Sequence, residues 1–250
     1  MTEPAVDTKL IKERLAALKG GRFKAWLEMC AHCAYCANSC FFVTAHNRDP
    51  KYTPAYKFIN TLGKLYKKDG EVTRAELEEM ASVVYGDCTA CRRCSLYCPF
   101  GIDIAVMIAT TRAILHSQGL SPAPLLDAVK NYWEFGNQMA VTQEDFVDTC
   151  EWMEEEMEEE CRGLKIPINK KGADMMYTIN AREAKFYPQD IAEAAMIFHV
   201  AGENWTVPDM GWDDTNLGMF AGDMKCAAHC VKLVYDAAER LEAKTIGVTE

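Results

Sequence analysis

A chain of 250 residues with 49% hydrophobic and 26% charged residues has an ordinary globular composition, which excludes a disordered or fibrous protein and allows one large domain or two modest ones. Its net charge of -10 argues against a nucleic-acid partner, since phosphate binding is driven by Lys and Arg. The composition leaves 12 cysteines to be explained.

From Met1 to Gly20 the chain alternates charged and apolar residues and has no apolar signal core. Nowhere does it approach the roughly 20 consecutive apolar residues of a membrane helix. The expectation is a cytoplasmic protein, and in that reducing compartment closely spaced cysteines are read as metal ligands instead of disulfides.

Cys30, Cys33, Cys36 and Cys40 form the first cysteine run, and Cys88, Cys91, Cys94 and Cys98, followed by Pro99, form the second. Both have the spacing C-x2-C-x2-C-x3-C. Three thiolates two residues apart wrap one corner of a cubane, while the fourth is displaced toward a neighbouring cluster. The spacing therefore predicts two [4Fe-4S] clusters with crossed ligation. Cys30, Cys33, Cys36 and Cys98 hold cluster one, and Cys88, Cys91, Cys94 and Cys40 hold cluster two. The clusters must lie close together, as an electron relay needs. A zinc pair is the alternative, but zinc sites usually combine C-x2-C units with His. His32 finds no vacancy in a full cysteine set and reads as a neighbour of the ligands or a surface residue. Arg92 and Arg93 either raise the potential of the second cluster or form a solvated pair.

The 47 residues between Cys40 and Cys88 read as helical. Pro54 opens a helix to about Lys68. Thr73 and Glu76 form a capping box for a second helix that buries Leu77, Met80, Ala81 and Val84. A third runs from Asp103 to Ser117 and ends at Gly119. The first domain, residues 1–141, is expected to be α-helical and ferredoxin-like, with both clusters.

From Thr142 the character changes. Thr142 and Asp145 start a helix on which Phe146, Cys150, Met153 and Met157 recur at helical spacing, with the glutamates of 151–160 as its solvated face. Cys150 reads as a buried structural thiol. Next come a strand at Ala173–Thr178, a helix from Pro188 to about Val200, a loop with Trp205, Trp212 and Gly218, a helix from Asp223 to about Ala243, and a strand at Lys244–Thr249. This alternation predicts a partial α/β domain with a parallel sheet over residues 142–250. The stretch Met219, Phe220, Gly222 precedes a helix and is either a ligand approach or a plain connection. Cys226 and Cys230 share a face with Leu233, Val234, Ala237 and Leu241, so packing is favoured over ligation.

Beyond the cysteine runs, the phrases Tyr85-Gly86-Asp87-Cys88-Thr89-Ala90-Cys91-Arg92-Arg93-Cys94, Lys165-Ile166-Pro167-Ile168, Lys185-Phe186-Tyr187-Pro188, Ala201-Gly202-Glu203-Asn204-Trp205-Thr206 and Phe220-Ala221-Gly222-Asp223 resemble the D-type heterodisulfide reductase-related subunits. The two cysteine motifs with their helical insertion resemble the C subunit of heterodisulfide reductase and the iron–sulfur subunits of succinate dehydrogenase-like enzymes. The likeness extends to the iron–sulfur subunits of the Tmc, Hmc and Dsr transmembrane redox complexes of sulfate-reducing bacteria and covers nearly the whole chain. It implies an electron-transfer subunit on the cytoplasmic face of the inner membrane. Such a subunit relays electrons between a cytochrome b-like partner, which handles quinone or receives electrons from cytochrome c, and a cytoplasmic thiol/disulfide acceptor.

Those relatives carry a cysteine-rich CCG element that can build a noncubane cluster for disulfide cleavage, and no Cys-Cys pair occurs here. The sequence reaches Val248-Thr249-Glu250 where the relatives continue into Cys-Gly-His, and truncation is the expectation. No catalytic residue for disulfide chemistry is assigned. The alternatives are a heterodisulfide-reductase-like catalytic subunit whose CCG element lies outside this sequence, and the iron–sulfur partner of a flavin dehydrogenase. No Gly-x-Gly-x-x-Gly run supports flavin binding by this chain itself.

Overall fold

A computed structural model describes residues 5–18 and 21–249. The ends of the Met1–Gly20 stretch and Glu250 lie outside the described residues. The chain divides into two compact units: one runs to Pro122 and includes Phe220–Gly222, the other holds Ala123–Met219 and the residues from Asp223 onward.

The first unit is helical. Helices α1 (Thr8–Leu18) and α2 (Arg22–Met29) precede the first cysteine run, which ends in a 3-10 turn over Tyr35–Ser39 and a short α3 (Phe41–Ala45). The predicted helix from Pro54 to Lys68 is present as a continuous helical path. It comprises α4 (Pro54–Phe58), a π-helical turn over Ile59–Gly63, and α5 (Lys64–Lys67). Thr73 and Glu76 form the expected reciprocal capping box at the start of α6 (Arg74–Ala81). Leu77, Met80 and Val84 are buried and Ala81 is half-buried.

A second π-helical turn, Ser82–Gly86, delivers the chain to the second cysteine run, which continues into α7 (Arg93–Tyr97). Asp103 caps α8 (Ile104–Ser117), accepting from the Val106 amide at 3.3 Å. Helix α8 is apolar nearly all round and buries Ile104, Met107, Ile108, Ile114 and Leu115, which makes it the central helix of this unit. Gly222 packs where a Cβ would lie 2.3 Å from the Arg112 carbonyl oxygen, and its φ of +84° is open to glycine at no cost. The Ala221 carbonyl accepts from Tyr85 Oη at 3.0 Å and Ser121 Oγ at 2.7 Å. The Phe220–Gly222 stretch, left open in the sequence between ligand approach and plain connection, is thus a packing contact.

The second unit opens with α9 (Ala123–Phe135), which the periodicity reading did not identify, and α10 (Gln143–Glu156), capped by Thr142 and burying Phe146, Cys150 and Met153 as expected. A three-stranded parallel sheet follows: β1 (Met175–Tyr177) lies between β2 (Trp205–Thr206) and β3 (Thr245–Gly247), with Met176 opposite both Thr206 and Ile246. Helices α11 (Ala181–Phe186) and α12 (Pro188–Ala201) connect β1 to β2, and α13 (Leu217–Ala221) and α14 (Met224–Arg240) lead on toward β3. Strand β2, read from the sequence as loop, is only two residues long and shows no alternation. Its Trp205 is buried, and Phe146 stacks on Trp212 at 4.3 Å in the core beside it.

Candidate iron–sulfur site

The two cysteine runs adopt the same backbone. In the first, His32 and Ala34 have positive φ (53° and 57°); in the second, Ala90 and Arg92 at the equivalent positions do as well (55° and 64°). Each such residue costs roughly 1–2 kcal/mol, so four non-glycine examples at matched positions mark a conformation imposed by the site. Alternation of right- and left-handed residues turns successive amides into a concavity that binds anions, including iron–sulfur groups. In the second loop the Ala90 amide reaches Cys88 Sγ at 3.4 Å. Each loop then enters one helical turn, Tyr35–Ser39 or α7, and the following cysteine, Cys40 or Cys98, is extended.

This backbone distributes the eight thiols around two cavities. Cys30, Cys33, Cys36 and Cys98 line one; Cys40, Cys88, Cys91 and Cys94 line the other. Each cavity thus takes three cysteines from one run and the last cysteine of the other. The cavities share Ile104 as a wall, and Tyr35 and Tyr97 bring the two runs together with ring centroids 6.3 Å apart. The second cysteine of each run, Cys33 or Cys91, is exposed, whereas Cys36 is buried. Burial, then the crowding of Cys88, Cys36, Cys40 and Cys91, pushes the Cys94 thiol up to about 12; burial likewise raises Cys36. Metal coordination reverses that balance, because it deprotonates the thiol outright. The donor set fits a four-thiolate cluster in each cavity. Among the described residues no three His, Cys, Asp or Glu side chains converge on the position of a single ion.

The insertion between the runs supplies the wall between the cavities, a role the sequence did not reveal. Along α4, Ala55 and Phe58 face the first cavity, and Pro54 and Lys57 face the second. The Ala55 backbone amide donates to the Cys36 thiol. Lys57 is the cavity-lining side chain that sequence reasoning missed: it is 2% exposed, with Nζ 4.0 Å from Cys40 Sγ. A signal was available, because a lysine interrupts the buried stripe of Pro54, Phe58, Thr61, Leu62 and Leu65.

Behind the second run, Asp103 accepts from Ser95 Oγ at 2.8 Å and Arg92 Nη2 at 2.7 Å, fastening α7 to α8. Although burial acts upward, the hydrogen bonds from Ser95, Val106 and Arg92 hold the Asp103 carboxyl below its usual range. Arg92 and Arg93 line the second cavity from exposed positions, and His32 is exposed.

The remaining thiols lie in the second unit. Cys150 is 1% exposed in the core with Phe146 and Met153. Cys226 and Cys230 are buried on α14 with their Sγ atoms 4.0 Å apart, and the hydrogen bond shared with Cys226, in which keeping the Cys230 proton is favoured, together with burial raises the Cys230 thiol. His229 stacks on Trp133 at 4.2 Å.

With this geometry in view, residues 26–102 match the 4Fe-4S dicluster domain family. The "Hdr-like menaquinol oxidoreductase iron-sulfur subunit 2" of Archaeoglobus fulgidus is 27% identical over 173 residues, covering 64% of this chain and 31% of that protein. The "Hdr-like menaquinol oxidoreductase iron-sulfur subunit" of Archaeoglobus profundus is 26% identical over 247 residues, covering 91% of this chain and 44% of that protein. The chain is similar to these Hdr-like iron–sulfur subunits. It spans less than half the length of these relatives. No solved structure matches the chain. Among the described residues no helix is long and apolar enough to cross a membrane.

Proposed function

We propose that this chain binds two [4Fe-4S] clusters, one in each cysteine-lined cavity, and relays electrons within a membrane-associated redox complex. Cys30, Cys33, Cys36 and Cys98 hold cluster one; Cys88, Cys91, Cys94 and Cys40 hold cluster two. The observation that carries the reading is the division of eight thiols into two sets of four, each set crossing between the runs. The paired left-handed loops support it independently, since their backbone is suited to an anionic sulfur-rich group. Each cluster supplies one-electron chemistry when bound. The protein fixes the separation of the two sites through Ile104 and α4 and leaves one cysteine of each set at the surface.

In this reading, to which the menaquinol oxidoreductase named for the relatives lends support for a quinol donor, the chain sits on the cytoplasmic face of the inner membrane and takes electrons from a membrane cytochrome b-like subunit, in anaerobic respiration such as sulfate reduction. The acceptor is a thiol/disulfide protein, and reducing one disulfide to two thiols draws two electrons through the relay and takes up two protons. We assign the first unit as the cluster-binding domain and the second as the start of a CCG-type domain. In longer relatives the same architecture would feed a catalytic cysteine element.

The test is anaerobic purification with iron and sulfide analysis, then EPR of the dithionite-reduced protein. About eight irons per chain and a spin-coupled signal from two interacting clusters are expected. Zinc in place of iron would overturn the relay.

A further inference from the structure

The two cavities differ in charge. The first is lined by no charged residue: its walls beyond the cysteines include Ala31, Ala34, Ala55, Phe58 and Ile102. The second is lined by Lys57, which is buried and donates to the Asp87 carbonyl, with Nζ 4.6 Å from the centroid of the Phe42 ring. None of its partners among the described residues is a carboxylate. Arg112, also 2% exposed, donates to the carbonyls of Val84 and Cys88, the latter at 2.5 Å, and its guanidinium faces the rings of Tyr85 and Phe220. Of these two buried cations with neutral partners, Lys57 lines the second cavity and Arg112 reaches it through the Cys88 carbonyl. Other charge there is closer to balance: Arg92 pairs with Asp103, and the lining also holds Arg93 and the half-buried Asp87 carboxylate.

Fully buried lysine is rare unless paired, because desolvating an ammonium costs several kcal/mol that neutral carbonyls do not return. The missing counter-charge is anionic and belongs in the cavity that Lys57 lines. A four-thiolate cluster meets this need, and more so after taking an electron, when its net charge grows by one negative unit. We infer that Lys57, supported by Arg112, sets the potential of cluster two above that of cluster one, so that the first electron to enter the pair resides on cluster two. Electrons then run from cluster one toward cluster two. Lys57 is in this sense a positioning residue for charge, acting on the potential without ligating iron. The inference rests on the two-cluster reading proposed above.

The test is an EPR-monitored redox titration of the anaerobic holoprotein. The wild type should show two resolved one-electron steps. Lys57→Gln, which keeps an N–H donor on a shorter side chain and removes the charge, should lower the upper step by at least a ten-fold change in the oxidised-to-reduced ratio, about 59 mV for a one-electron couple. The lower step should stay in place, and Lys57→Arg, which keeps the charge, should restore the upper one. A single unresolved step in the wild type, an upper step unmoved by Lys57→Gln, or equal movement of both steps would overturn the inference.

If Lys57→Gln does not fold, the assignment is still open to test: Cys98→Ser should leave the upper step in place and Cys40→Ser should move it, and the reverse result refutes the order. Wild-type protein without iron would defeat the two-cluster reading itself, whereas eight irons with an unmoved step would defeat only the role of Lys57.

Discussion

The loop holding Cys30, Cys33 and Cys36 and the loop holding Cys88, Cys91 and Cys94 use left-handed residues at the same two positions, yet the walls behind them are unlike. Behind the first stand aliphatic and aromatic groups; behind the second stand Lys57 and, through the Cys88 carbonyl, Arg112. The backbone follows from the repeated cysteine spacing, while the walls come from the helices inserted between and after the repeats. The duplicated cysteine motif thus gives the two loops one backbone, and the unrepeated sequence around it decides how the two cavities differ.

The most severe way to break this comparison acts through Gly222. A methyl group there would sit 2.3 Å from the Arg112 carbonyl oxygen at a φ of +84°, pressing on the residue that braces the second cavity. Gly222→Ala should destabilise the first unit by ~3 kcal/mol and disturb the EPR signal of cluster two before that of cluster one. Chemical denaturation with parallel EPR checks both, and an unchanged midpoint would show that this packing is dispensable.

A smaller effect sharpens the likeness of the loops. Ala34→Gly and Ala90→Gly each relieve a left-handed alanine at the cost of chain entropy, and each should stabilise by about 0.5–1 kcal/mol. Nearly equal changes in denaturation midpoint are expected, and opposite signs would break the twinning.

The smallest concerns the helix that leads to the second run. Hydrogen bonds from Lys68, the Thr73 amide and Lys64 lower the Glu76 carboxyl to about 2, so its contribution is present above its ordinary range and is lost as pH falls from about 4.5 toward 2. Glu76 is at the surface, so the effect is modest. Melting of the holoprotein against pH should show a shallow acid loss that Glu76→Gln removes; an identical pH dependence in the variant would assign the loss to other groups.

Much of this was legible from residue spacing. The capping box at Thr73 and Glu76, the Asp103 and Thr142 caps, and the alternation giving a parallel sheet all follow from local signals that nothing in the tertiary structure opposes. Strand β2 was missed because two residues carry no period, and α9 lies outside the elements predicted from the sequence. The sequence groups the eight cysteines because the x3 interval sets the last of each run apart, and the same sets of four line the two cavities. Lys57 could not be placed so easily. Its importance depends on which face of α4 meets the cavity, and that is set by packing between segments distant in sequence.

Crossed ligation between the runs is decided by comparing single-cysteine variants by EPR. Cys40→Ser should alter the same cluster signal as Cys91→Ser, and Cys98→Ser the same signal as Cys33→Ser, each pair joining residues from different runs. If Cys40→Ser instead reproduces Cys33→Ser, each run holds its own cluster and the crossed arrangement is wrong.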